Sequence, residues 1–203
     1  MLRLAWISLF VIAAMFWMDI PAFGAPQPQG AKIDLSRGVT FERYLTTGDS
    51  AQMKSALERV SSLALSDHFL AFVRGIDIPL VLAVYTELWC PDCARTTPFV
   101  HAISQANPLI KAVYFPRDEL GRVFMRAQTG RSSIPTIFVT DKGGLVAGDV
   151  YVEYPERVQA LIADASEDAA RHKNDLRSGL YDEEIENDLR KLMESAIKEL
   201  KER

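Results

Sequence analysis

The chain has 203 residues, 48% of them hydrophobic and 25% charged, with a formal net charge of −4 at pH 7. At roughly 150 residues per domain, this is one domain with extensions, apolar enough for a packed core. The acidic balance, with no dense basic stripe, argues against a nucleic-acid surface.

Arg3 precedes an apolar run over residues 4–18, interrupted only by Ser8 and followed by Asp19, Pro21 and Ala22-Phe23-Gly24-Ala25. A basic start, a short apolar core and small residues before a cut after Gly24 make residues 1–24 a secretory signal. The other reading is an uncleaved anchor, although the run is shorter than the ~20 residues a span needs. Either way the rest is exported, to the periplasm or outside the cell. Membrane association is expected only if this segment stays attached.

Residues 25–32 are rich in Pro, Gln and Gly and read as a linker. Residues 33–78 read as a helical N-terminal extension. Phe41, Tyr44 and Leu45 have helical spacing; Gly48-Asp49-Ser50 stops that helix and caps the next, which carries Met53, Ala56, Leu57, Val60 and Leu63. Asp67 is placed to cap a short helix bearing Phe69, Leu70, Phe72 and Val73, closed by Gly75. These aromatics are expected to pack against a sheet.

Residues 79–172 alternate strands and helices. Residues 79–86 form a short β-branched apolar run, the pattern of a strand buried on both faces. A helix follows, with Phe99, Ala102, Ile103 and Ala106 on one side and Pro98 inside it, where a kink is expected. Residues 110–115 read as a second buried strand. Asp118 then caps a helix expected to turn Leu120, Val123, Phe124 and Ala127 inward. Ile134-Pro135-Thr136 introduces another strand, Asp141-Lys142-Gly143-Gly144 makes a hairpin turn, and residues 145–152 return. Pro155 opens a helix through Val158, Leu161 and Ile162. This order predicts a mixed α/β sheet covered on both faces. Residues 173–203 form a charged tail whose helix from Asp182 carries Ile185, Leu189, Leu192, Ala196 and Leu200 as one stripe. It is expected to pack on its own domain, with a partner surface as the alternative.

The chemistry centres on Trp89-Cys90-Pro91-Asp92-Cys93, which holds the only two cysteines. At a strand-to-helix junction, the first cysteine meets unpaired N–H groups and the helix dipole, which favour its thiolate. The second, one turn on, is close enough to attack a mixed disulfide formed on the first. A structural staple across so short a loop would gain little stability, so the pair reads as redox-active. A closed zinc site wants four ligands and a catalytic one three. Outside the pair there are only His68, His101 and His172: His101 points elsewhere along the helix, and the other two read as surface residues. No metal site is expected, and a two-thiolate copper(I) carrier is the non-redox alternative.

With a strand leading into Trp89-Cys90-x-x-Cys93, Pro98 five residues on, and Ile134-Pro135-Thr136 before the next strand, residues 79–162 resemble the thioredoxin superfamily. The wider sequence is similar to a bacterial thioredoxin-like branch with a helical N-terminal extension and a Thr-Glu-x-Trp-Cys-x-Asp-Cys-Ala site, matched by residues 86–94. Arg117-Asp118 matches the Arg-Asp that this branch carries after its second strand. The resemblance implies a thioredoxin fold, Cys90 as nucleophile and Cys93 as the buried resolving thiol. It implies a cis Pro135 beside the sulfurs, Ile134 offering backbone groups to a substrate strand, and Trp89 shielding the dithiol. Two departures stand out. Familiar thioredoxins carry a buried aspartate six residues before the first cysteine; here that residue is Val84, and Glu87 is the candidate replacement. The intervening dipeptide is Pro91-Asp92. A carboxylate there disfavours the Cys90 thiolate, which tilts the pair toward reductant; being expected at the surface, its effect is screened.

The expected function is therefore a thiol:disulfide oxidoreductase, leaning to reductase, acting on exported protein disulfides. It needs an unidentified electron donor or acceptor and no cofactor beyond its own Cys90–Cys93 pair. A non-catalytic thioredoxin-fold binding module is the other alternative.

Overall fold

The structure is a computed structural model that describes residues 30–164 and 168–203. The signal or anchor segment 1–24 and most of the linker lie outside the described residues. No described helix is long and apolar enough to cross a membrane.

Four strands form the sheet: β1 (Leu80–Tyr85), β2 (Ile110–Phe115), β3 (Thr136–Thr140) and β4 (Val146–Val152), in the order β2-β1-β3-β4. β1 runs parallel to β2 and antiparallel to β3, and β4 is antiparallel to β3. Every residue of β1 is buried, as its unbroken apolar run predicts for a central strand covered on both faces. Helices α1 (Phe41–Leu45), α2 (Ser50–Ser62) and α3 (Asp67–Arg74) precede the sheet. α4 (Pro91–Ala106) crosses from β1 to β2, and α5 (Glu119–Thr129) links β2 to β3. α6 (Glu156–Asp164), α7 (Ala169–Ser178) and α8 (Asp182–Glu202) follow β4.

Side chains alternate along β1 and divide the core in two. Leu80, Leu82 and Val84 pack with Phe99 and Ile103 of α4, Leu176 of α7, and Ile185 and Leu189 of α8. Ala83 and Tyr85 point the other way, toward Met125 of α5, Phe138, and both cysteines. The C-terminal stripe thus packs at home. α2 is looser: none of its residues is fully buried, and Met53 and Leu57 are 37% and 46% exposed.

Each sheet edge is partly covered, which blunts it as a template for strand pairing with other chains. Val39 exchanges two backbone hydrogen bonds with Tyr114, at 2.8 and 2.9 Å, along β2. β2 ends the sheet order, so it is an edge strand and only partly buried, with Lys111 exposed. Its apolar composition reads the same as a central strand's, which is why burial on both faces is overpredicted. Along β4, side chains of α8 replace a neighbouring strand. The Gly148 and Asp149 N–H groups donate to Glu199 Oε2 (2.7 Å) and Ser195 Oγ (3.2 Å), and Arg203 donates to the Val146 carbonyl (2.8 Å).

Three other expectations are corrected. α5 turns Gly121 and Met125 inward, while Leu120 and Val123 are 60% and 58% exposed. Gly121 suits this rotation: a Cβ there would stand 3.0 Å from the Pro116 carbonyl and 3.1 Å from the Tyr85 ring, tighter than most side chains are held. α3 is capped at Ser66 rather than Asp67, and its N–H is met by the buried carboxylate of Glu186 (2.8 Å). His172 is buried, with Nδ1 2.8 Å from the Tyr181 hydroxyl, because α7 intervenes before the tail helix. α7 shows no apolar stripe, since only His172 and Leu176 are buried.

Asn107, 4% exposed, ends α4 and ties three segments together. Its Nδ2 donates to the carbonyls of Val73 (2.8 Å) and Ile76 (2.9 Å), and its Oδ1 accepts from the Leu109 N–H (2.9 Å). Asn107→Ala leaves these groups unpaired in the interior and should cost about 2–3 kcal/mol. For a chain of this size that is a fall in melting temperature of roughly 5–10 °C in thermal denaturation.

Candidate active site

The site lies where β1 and β2 end and β3 begins, and three loops interlock there. Thr86 extends the β1–β2 pairing by donating to the Phe115 carbonyl (3.0 Å). The Glu87 carboxylate then accepts the Arg117 N–H (2.7 Å), and Arg117 Nε donates to the Ser132 carbonyl (2.8 Å). The loop before α4, the loop before α5 and the loop before β3 are thereby held as one unit.

Cys90 is the N-cap of α4, with Pro91 at the first helical position, where its missing N–H costs nothing. Its Sγ takes the place of the usual capping oxygen, accepting the Cys93 N–H at 3.3 Å. The same sulfur lies 3.8 Å from the Ile134 carbonyl oxygen, to which its S–H donates. The Ile134–Pro135 peptide is cis. Both thiols are free and buried. Trp89 is 62% exposed beside them and Pro91 is exposed.

The two sulfurs differ electrostatically. Hydrogen bonding from the Cys93 thiol, aided by the backbone N–H groups of Cys93 and Asp92, holds Cys90 below the ordinary thiol range, against burial and the Asp92 charge. Burial, first, and the thiol hydrogen bond and charge of Cys90 push Cys93 well above it. One poised thiolate beside a protonated thiol suits attack followed by resolution.

Asp92 is not the screened surface charge expected from the sequence. It is 7% exposed and enclosed by two residues from the C-terminal half. Arg177 of α7 donates through Nε to Oδ1 (2.7 Å) and through Nη2 to Oδ2 (3.2 Å), and the Tyr154 hydroxyl donates to Oδ2 (3.1 Å). Sequence reasoning missed Arg177, because a lone arginine in a mostly polar helix carries no motif.

Val84 is fully buried among apolar side chains, and Glu87 is spent on the Arg117 loop. The polar groups near Cys93 are instead hydroxyls. Thr86 bonds toward Cys93 and lies 2.9 Å from Thr97 Oγ1 and 3.3 Å from the Tyr44 hydroxyl, all buried. Sequence reasoning missed this group, because isolated Thr and Tyr residues carry no motif. Tyr44 and Thr97 also line a cavity of about 240 Å³ between α2 and the first turns of α4, with Leu88, Ala94 and Pro98. His101 stacks on Phe41 with ring centroids 3.9 Å apart. Among the described residues, no three His, Cys, Asp or Glu side chains converge as metal ligands.

A family model described as Thioredoxin matches residues 38–169. A protein of unknown function from Pseudomonas aeruginosa, solved as a crystal structure, shares 20% identity over 80% of this chain and 95% of its own, with a TM-score of 0.65. An HIV epitope scaffold matches with 20% identity over 80% and 96% of the two chains, TM-score 0.66. Oxidised mitochondrial thioredoxin 3 from Saccharomyces cerevisiae shares 18% identity over 53% of this chain and 99% of its own, TM-score 0.31. No curated protein matches. The first two likenesses speak to fold alone.

Proposed function

Since the chain belongs to the thioredoxin family, we propose that it is a thiol:disulfide oxidoreductase that reduces disulfides of exported proteins through Cys90 and Cys93. The observation that carries this reading is Cys90 Sγ at the N-terminus of α4, bonded by the Cys93 N–H at 3.3 Å and facing the Ile134 carbonyl at 3.8 Å. Within the family we place it in the branch with a helical N-terminal extension and the Trp-Cys-x-Asp-Cys site.

In the proposed cycle the Cys90 thiolate attacks one sulfur of a substrate disulfide. The substrate S–S bond breaks, a Cys90–substrate disulfide forms, and the released substrate thiolate takes a proton. Cys93 then loses its proton and attacks Cys90 Sγ, releasing the second substrate thiol and leaving a Cys90–Cys93 disulfide. Two electrons have passed to the substrate, and a dithiol donor must return them. Ile134 offers its backbone to the substrate strand, Pro135 lies against the sulfurs, and Trp89 and Pro91 shape the docking surface. Glu87 serves by fixing the loops. The leaning to reduction rests on the charge of Asp92, the smallest of the influences on a Cys90 thiol that hydrogen bonding holds low overall. Export is supported by the secretory pattern of residues 1–24.

The test is a trap. Cys93→Ser, mixed with a disulfide-bonded probe protein, should accumulate a stable Cys90–probe disulfide on a non-reducing gel, while Cys90→Ser traps nothing. A glutathione equilibrium then reads the direction. A pair near the roughly −270 mV of thioredoxin is a reductant, whereas one near or above about −180 mV overturns the reductase assignment. Absence of trapping and of exchange overturns the oxidoreductase reading altogether.

A further inference from the structure

A carboxylate between two redox cysteines is an awkward neighbour for a thiolate, and here it is also buried. Asp92 occupies the second position of α4, where its charge is favoured by the helix dipole but disfavours Cys90. Burial at 7% exposure demands a partner, and removal of one would leave an uncompensated interior charge. Arg177 meets that demand from 85 residues along the chain with a two-pronged fork, at 2.7 and 3.2 Å. Tyr154 adds a third hydrogen bond, so both carboxylate oxygens are engaged.

The groups around this carboxylate come from four places, β4 contributing the buried Tyr151, which feels the Asp92 charge. α4 and its N-cap contribute Cys93 and Cys90. α7 contributes Arg177, and Lys173, whose ammonium lies 5.8 Å over the Tyr154 ring. The segment after β4 contributes Glu153, and Tyr154, a phenol whose own ionisation burial and the Asp92 charge suppress. Arg177 is thus the guanidinium bonded to Asp92, and it also feels the charge of Cys90.

We propose that Arg177 is a positioning residue of the dithiol site: by pairing with Asp92 it turns the dipeptide carboxylate away from Cys90, compensates its charge, and so sets how strongly reducing the pair is. This rests on the oxidoreductase reading. It makes the C-terminal helices part of the redox machinery, and the potential a property of a contact between α4 and α7. Losing the guanidinium leaves a bare carboxylate beside Cys90, which destabilises the thiolate and hence the reduced form. The pair then becomes a stronger reductant.

The experiment compares the full-length wild type with Arg177→Met, Arg177→Lys, Asp92→Asn and the Asp92→Asn/Arg177→Met double variant. Two quantities are read: the pH profile of Cys90 alkylation by iodoacetamide, and the equilibrium constant with glutathione. Arg177→Met should lower the Cys90 thiolate fraction at pH 7 about three- to tenfold, the scale of one displaced charge. Its alkylation profile moves to higher pH, and the equilibrium moves toward the disulfide by no more than the change in the Cys90 acid dissociation constant, tenfold being 29.6 mV for two electrons. Asp92→Asn should move both readings the opposite way. Arg177→Lys, which keeps the charge but loses the fork, should fall between wild type and Arg177→Met. In the Asp92→Asn background, Arg177→Met should have a clearly smaller effect. If Arg177→Met fails to fold, the double variant and Arg177→Lys supply the comparison, since neither leaves a buried charge unpartnered. Unchanged readings in folded Arg177 variants, or an equal effect with and without Asp92, overturn the assignment. A wild-type pair that does not exchange with glutathione overturns the oxidoreductase reading instead.

Discussion

Cys90→Ser should abolish thiol-dependent reduction of a protein disulfide, a loss on the order of a thousandfold or more, as removal of a nucleophile produces. In the reduced wild type, alkylation should strike Cys90 first. The sign of its pH dependence follows from the hydrogen bonds on its sulfur. Below the Cys90 pKa the sulfur is a thiol and reacts slowly; as pH rises through that value the thiolate accumulates and the rate climbs to a plateau. Because the Cys93 thiol and two helix N–H groups hold Cys90 below the ordinary thiol range, the plateau should arrive at lower pH than for a free cysteine. Cys93, fully buried and pushed upward by that burial, should stay unmodified across the same range. Mass spectrometry of the alkylated protein after brief exposure checks both statements. A product labelled mainly on Cys93 would reverse the assigned roles.

Gly148→Val should be strongly destabilising although it lies far from the sulfurs. Gly148 sits in the bulge where β4 slips against β3 between Phe138 and Val139, and its φ is +68°. A Cβ built there would lie 2.4 Å from the Ala196 nitrogen and 2.8 Å from the Ala196 Cα, inside the backbone of α8. The left-handed conformation costs roughly 1–2 kcal/mol for a residue with a Cβ, and overpacking about 1–3 more. The total is about 2–5 kcal/mol, or roughly 5–15 °C in melting temperature. Gly148→Ala should fall lower in that range, because it adds the clash without a branched side chain. Thermal unfolding by circular dichroism separates the three proteins; coincident curves would mean that α8 is not seated on β4 as described.

Most strands and the dithiol site were legible in the sequence because each is announced locally. β1 is an unbroken β-branched run, the hairpin carries Asp141-Lys142-Gly143-Gly144, and the cysteines and Ile134-Pro135-Thr136 form motifs with an order. What was not legible depends on who stands opposite. β2 has the same apolar content as a central strand, and only the sheet order makes it an edge. The inward face of α5 was misjudged because its stripe of larger side chains suggested one rotation, while the close approach at Gly121 suits another. Asp92 looked solvated because the residue that buries it lies on α7, whose mostly polar sequence gives no hint of a core-facing side. The hydroxyls of Tyr44, Thr86 and Thr97 meet near Cys93 only through folding, with Tyr44 arriving from the N-terminal extension.

The order in which the chain leaves the ribosome gives the C-terminal helices a further meaning. Chains are made from the N-terminus and domains tend to fold as units. Here all four strands and both cysteines are synthesised before Arg177 and α8 exist. Until then the outer backbone of β4 lacks the Glu199, Ser195 and Arg203 side chains that cover it, and Asp92 has no guanidinium. A nascent protein halted there would hold its sulfurs beside a bare carboxylate and present an open strand to its neighbours. Closure of the sheet and completion of the thiol environment are therefore late events, both waiting on the synthesis of α7 and α8.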